Sequence, residues 1–188
     1  MKRWQLIGIG LFTALSLLIL NGIFGNWHQT SLQQAAQAQS ATNSAISLSG
    51  ETYKENRFEV GILAGYQQKV VSGVPVVESP DGNLAYTVVV KPQVNTQQLD
   101  SETLARIAID EFEKGEGFQP GQFRQSNAGE IALPWSASLT MGNNTQSLSG
   151  EVLARQRGRN VLLLLISATE AKAEDVPQVL QVLSNSLK

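Results

Sequence analysis

The sequence predicts an α+β domain: an α/β/α sandwich in which a central, largely antiparallel sheet carries one helix on each face. Three observations lead there. The stretches "LAYTVVV", residues 84–90, and "VLLLLI", residues 161–166, have no polar face, so both strands belong inside a sheet covered on both sides. Two segments with apolar residues at helical spacing, one over residues 101–114 and one from Pro177 onward, supply the covers. Two hairpins join the strands in sequence, which antiparallel pairing allows.

Taken in order, Lys2 and Arg3 precede an apolar run over residues 6–24, and small polar residues follow it. That is the order of an export signal, and Ala36 and Ala38 put small side chains where a signal peptidase needs them. Residues 1–38 are therefore expected to leave as a signal peptide cleaved after Ala38. Retention of residues 6–24 as a membrane anchor is the alternative, because a helix of that length rises about 28 Å, close to the ~30 Å hydrocarbon core. Either way the domain lies across a membrane from the cytoplasm. Residues 39–50, rich in Gln, Ala, Ser, Thr and Asn, read as a flexible tether, and residues 51–188 as the single folded domain.

In "RFEVGIL", Phe58, Val60 and Ile62 alternate with Arg57, Glu59 and Gly61, the pattern of a half-buried strand. A weaker strand "YQQKVV" follows. The hairpin "GVPVVESPDGNLAYTVVV" turns over residues 79–83, where Pro80 suits the second turn position and Gly82 tolerates positive φ. The first helix has Asp100 or Ser101 as N-cap and Gly115 as a left-handed exit, with Leu104, Ala105, Ala108, Ile109 and Phe112 turned inward. Ile131, Leu133, Trp135, Ala137 and Leu139 then share one face of a strand that Pro134 assigns to a sheet edge or a bulge. A second hairpin turns over residues 157–160 into the apolar run. The last helix starts near Pro177, with Val176, Val179, Leu180, Leu183 and Leu187 inward.

Together "RFEVGILAGYQ", "GVPVVESPDGNLAYTVVVKP", "FEKGEGF", "ALPWSASLT" and "GEVLARQRGRNVLLLLISAT" resemble the PsbP-like family, relatives of an extrinsic photosystem II protein, over about residues 53–187. The resemblance implies an antiparallel sheet between helices and a lumenal or periplasmic location. It also implies non-catalytic service to photosynthetic complexes. No contact or metal-binding residue transfers position by position.

Composition narrows the chemistry further. The chain has no cysteine, and its one histidine, His28, leaves with the leader. Serine–histidine and cysteine–histidine nucleophiles, histidine bases and nitrogen- or sulfur-ligated zinc are thus excluded, and no cofactor, metal or catalytic residue is assigned. Loss of Lys2 and Arg3 takes the net charge from -2 to -4, which disfavours nucleic acid as a partner. Asp110, Glu111, Glu113 and Glu116 form an acidic cluster that reads as a solvated helix side. Asn143, Asn144 and Thr145 match a glycosylation sequon, which matters only in a eukaryotic secretory pathway.

Arg155, Arg157 and Arg159 at the second hairpin, with Arg124 nearby, are the candidate partner contact, because alternate strand residues share a face and present guanidinium forks together. Trp135 is the candidate lining of a ligand groove, with a place in the core as its plainer role. The expected function is an exported, non-enzymatic accessory or assembly protein that binds a membrane complex, a photosynthetic one where the resemblance holds, or a membrane surface. A carrier holding a small apolar ligand or lipid between sheet and helix is the alternative. Oligomeric state is not legible.

Overall fold

In the computed structural model the described residues are 46–71, 73–115, 117–126, 129–141 and 144–188. The signal peptide, its cleavage point at Ala36 and Ala38, the candidate anchor over 6–24, His28, Glu116, Asn143 and most of the tether lie outside them. Among the described residues no helix is long and apolar enough to cross a membrane.

Strands β1 (Leu48–Glu55) and β2 (Phe58–Leu63) form an antiparallel hairpin of their own. The main sheet contains β3 (Gln67–Val71), β4 (Val74–Glu78), β5 (Leu84–Pro92), β6 (Gln119–Pro120), β7 (Arg124–Gln125), β8 (Glu130–Met141), β9 (Asn144–Arg157) and β10 (Asn160–Thr169). Its order is β3-β4-β5-β10-β9-β8-β6, with β7 also on β8, and every pairing is antiparallel. Helix α1 (Ser101–Phe112) follows β5, and a 3-10 turn (Glu170–Asp175) leads into helix α2 (Val176–Ser186).

The two faceless strands are neighbours at the centre. β5 and β10 pair from Leu84↔Ala168 to Pro92↔Asn160, and alternate residues feed two separate cores. Ala85, Val161, Leu163 and Leu165 meet Leu104, Ala105, Ala108 and Phe112 of α1. Tyr86, Val88, Leu162, Leu164 and Ile166 meet Val176, Val179 and Leu183 of α2. One helix per face is therefore the observed arrangement.

On the second face α2 shares its work with the β1–β2 hairpin, whose Phe58, Val60, Ile62 and Leu63 complete that core. Tyr86 fastens the hairpin down. Its hydroxyl donates to the Gly61 carbonyl (2.9 Å) and accepts from the Leu63 N–H (3.1 Å), and burial pushes the phenol pKa well up, so the proton stays available. Tyr86→Phe keeps the ring and removes both bonds from buried backbone groups. We expect a loss of about 1–3 kcal/mol, read as a lowered midpoint in urea unfolding.

Several local expectations need correction. Residues 48–50, assigned to the tether, are the first three of β1; Leu48 pairs with Leu63, and a bulge before Thr52 hides the strand pattern. Helix α1 stops at Phe112, with Glu113 still right-handed, and the positive φ falls on Gly117 (69°) instead of Gly115. Ile109 is half-buried, while Glu111 is buried. The N-cap is Asp100, whose Oδ1 accepts from the Thr103 N–H at 2.7 Å. The turn at residues 79–83 forms as expected: Asp81 Oδ1 accepts from Ser79 Oγ (2.5 Å) and the Asn83 N–H (3.1 Å). Burial pushes the Asp81 carboxyl up, but these hydrogen bonds outweigh it and hold the pKa below the usual range.

Pro134 sits where an edge proline should. β8 pairs with β9 along its length, and on its outer side, among the described residues, only the two-residue strands β6 and β7 pair with it, on either side of Pro134. The Pro134 carbonyl accepts from Gly121 on that outer side, so the missing N–H also faces outward and breaks no bond to β9.

Candidate functional site: the opened edge between β4 and β5

The arginines singled out by sequence have different fates. Arg155 is almost wholly engaged within the chain: its Nε bonds the buried carboxylate of Glu130, Nη1 donates to the Leu187 carbonyl (3.0 Å) and Nη2 to the Ser184 carbonyl (3.0 Å). It thereby ties β9 to β8 and caps the C-terminus of α2, where the helix dipole favours a cation. Arg124 grips both oxygens of the buried Glu151 carboxylate at 2.8 Å. Arg157 reaches the Leu187 carbonyl at 3.4 Å, and only Arg159 has an exposed side chain with no hydrogen bond to a described residue. Arg155 and Arg124 are thus fold-building pairs, and what remains exposed at the hairpin is Arg157 and Arg159.

Trp135 is core. It is 4% exposed, stacks on Phe118 with ring centroids 5.8 Å apart, and donates from Nε1 to the Ile166 carbonyl at 3.2 Å. Gly150, its register partner on β9, leaves the space beneath the indole.

A cavity of about 350 Å³ lies elsewhere, where the sheet comes apart. Among the described residues β4 pairs with β5 only at Val77↔Tyr86 and Glu78↔Ala85. Beyond that point the next hydrogen-bonded pair, in the same register, would place Pro75 opposite Val88. The Leu84 carbonyl accepts from the Ser79 N–H, so Leu84, Tyr86 and Val88 turn their backbone groups toward β4. Pro75 would have to donate to Val88, and it has no N–H. Its carbonyl is taken instead by Thr87 Oγ1 (2.7 Å), and the ladder ends. Gly73, Val74 and Pro75 form one wall of the resulting opening and Val88, Val89 and Val90 the other.

Different elements line it from the two faces of the sheet. The β1–β2 turn brings Glu55, Asn56, Arg57 and Phe58 from one face of the sheet, and Glu111 reaches in from α1 on the other. Glu111 bonds Lys91 at 2.5 Å, with side chains 9% and 32% exposed. Glu55 accepts the hydroxyl of Tyr53. Arg57 is exposed and makes no ion pair or hydrogen bond with a described residue. The opening therefore combines an apolar floor, an unpaired strand edge, a neutralised Lys–Glu pair and one guanidinium available to an anion. Among the described residues no three His, Cys, Asp or Glu side chains are grouped to hold a metal ion.

Sequence reasoning missed this site. Its one legible signal was a proline, Pro75, inside a strand-like run, which marks interrupted pairing without showing which neighbour is lost.

Comparison with models of protein families finds no match, and comparison with curated proteins finds none. Among solved structures, the chain is similar to cyanobacterial PsbP (CyanoP) from Synechocystis, at 16% identity and a TM-score of 0.44, over 79% of this chain and 95% of the other. It is also similar to LpqN of Mycobacterium tuberculosis, a protein involved in cell envelope biogenesis, at 10% identity and a TM-score of 0.44, over 70% of this chain and 82% of the other.

Proposed function

We propose that this chain is an exported, non-enzymatic accessory protein, of the thylakoid lumen or periplasm, that holds a partner belonging to a membrane complex. The binding surface is the opening between β4 and β5 rather than the arginine hairpin. The observation that carries this reading is the abrupt end of the β4–β5 ladder at Pro75, which leaves a sheet edge facing a cavity instead of a neighbour. Arg155 and Arg124 are engaged within the fold, which weakens the hairpin as the contact. The non-enzymatic character rests on a sequence whose one histidine stands at position 28 and which lacks cysteine. The resemblance of the sequence to the PsbP-like family supports the location and the type of service.

Because the chain has no cysteine, Val90→Cys can be labelled with a bulky maleimide at that position alone. Labelled Val90→Cys is expected to be retained on washed native membranes about tenfold less than the unlabelled variant, a loss of about 1.4 kcal/mol. Equal retention of both would remove the opening as the binding surface.

A second reading has its own support in the apolar lining of Phe58, Val74, Val88 and Val90: a carrier for a small apolar ligand or lipid. A volume near 350 Å³ is at the small end of ligand pockets, roughly 300–1,000 Å³. An adduct of lipid mass in native mass spectra of detergent-free protein, lost on labelling Val90→Cys, would establish it. Clean spectra of the unlabelled protein would end it.

A further inference from the structure

We propose that the opening takes an extended peptide, which adds a strand to the free edge of β5 and pairs an acidic group with Arg57. This rests on the opening being the binding surface and specifies what occupies it.

The edge has the chemistry of an interrupted sheet. On one side β5 is in register with β10 from Leu84 to Pro92, and on the other it meets β4 only at Ala85 and Tyr86. Among the described residues none pairs with residues 88–92 on that side, about 17 Å of strand at ~3.4 Å per residue. The alternation that turns Tyr86 toward β4 also turns the amide and carbonyl of Val88 and Val90 into the opening. Pro75, placed opposite, lacks the donor that would satisfy the Val88 carbonyl. A second extended backbone supplies both donors and acceptors at that spacing. An apolar ligand supplies neither.

Side chains on the two faces of such a strand meet different surroundings. Phe58, Val88 and Val90 form an apolar wall on one face, which suits a β-branched or aromatic residue. On the other face the occupant passes Val89 and the neutralised Lys91–Glu111 pair. Arg57 stands at the rim by the β1–β2 turn, and its fork takes a carboxylate by two parallel hydrogen bonds. The occupant is therefore an extended segment with an apolar residue beside an aspartate, a glutamate or a terminal carboxylate.

The test uses the full chain in mild detergent and a phage-displayed library of random heptapeptides. Selections are run on wild type, on maleimide-labelled Val90→Cys and on Arg57→Glu, an exposed position whose exchange leaves the fold to be checked by circular dichroism. Wild type is expected to enrich an acidic residue next to β-branched or aromatic ones, and labelled Val90→Cys to lose that enrichment. Arg57→Glu is expected to exchange the acidic residue for Lys or Arg. The synthetic consensus peptide should lose at least about tenfold in affinity when alternate amides on one edge are N-methylated, and much less when the other edge is methylated.

No enriched sequence on wild type, a consensus that ignores the Arg57 charge, or one indifferent to N-methylation overturns strand addition. The wider reading is tested separately. If membrane retention is lost on labelling while the library enriches nothing, the opening binds something other than a peptide. If enriched peptides bind labelled Val90→Cys as well as wild type, the opening is not the peptide site and strand addition fails, whereas the wider reading fails only if labelling leaves membrane retention unchanged.

Discussion

Gly150→Ala is expected to cost about 3 kcal/mol or more and to lower the melting temperature by roughly 10 °C, an unusually large effect for adding one methyl group. A Cβ built at Gly150 would lie 1.9 Å from the Ile166 carbonyl oxygen, 2.9 Å from its carbon and 2.9 Å from Cε2 of Trp135. The backbone of β10 cannot move away, because it is hydrogen-bonded along both edges and buried on both faces. The indole cannot move either without losing its bond to that same carbonyl and its stacking on Phe118. The control is Gly158→Ala at the hairpin turn, where a Cβ meets nothing within 4 Å and only the positive φ of 56° opposes the change. Differential scanning calorimetry of the two variants separates crowding from backbone strain; equal shifts would show that the sheet relaxes around Gly150.

Arg155→Ala is expected to cost about 3–5 kcal/mol, because it strands the buried Glu130 carboxylate without a counter-ion. It also uncaps the C-terminal carbonyls of α2 at Ser184 and Leu187. The side chains are 16% and 8% exposed, so water does little to replace the lost partner. Adding Glu130→Leu to a variant carrying Arg155→Met should recover much of the loss, since removing both charges costs less than orphaning one. The measurement is a double-mutant cycle by urea unfolding, and a cycle with no coupling would show that the pair contributes little. One corollary concerns binding assays: replacing Arg155, Arg157 and Arg159 together damages the fold, so lost binding in that triple variant would not identify a contact surface. Arg157 and Arg159 are the pair to alter for that purpose.

The central architecture was legible because β5 and β10 lack a polar face and only a covered sheet accommodates such strands. The helices were legible from the 3.6 periodicity of residues such as Leu104, Ala108, Val179 and Leu183. Strand β1 was not, since "LSGETYKE" is polar, nearly all exposed and interrupted by a bulge, and it is held by backbone pairing to β2. Strands β6 and β7, at two residues each, are too short to carry a period. The arginines were visible as charge, but their partners Glu130, Glu151 and the end of α2 are supplied by strand register and helix docking. The opening depends on Pro75 falling at the register position opposite Val88, where the ladder fails, and that register is set only once the sheet is assembled.

The strict alternation along β10 makes that strand a septum. Leu163 and Leu164 are covalent neighbours, yet one packs beneath α1 and the other beneath α2, and the two layers share only the peptide plane between them. A void cut on one side cannot be refilled from the other. Damage to the two compartments is therefore borne separately, and two injuries placed next to each other in the chain combine as though they were far apart.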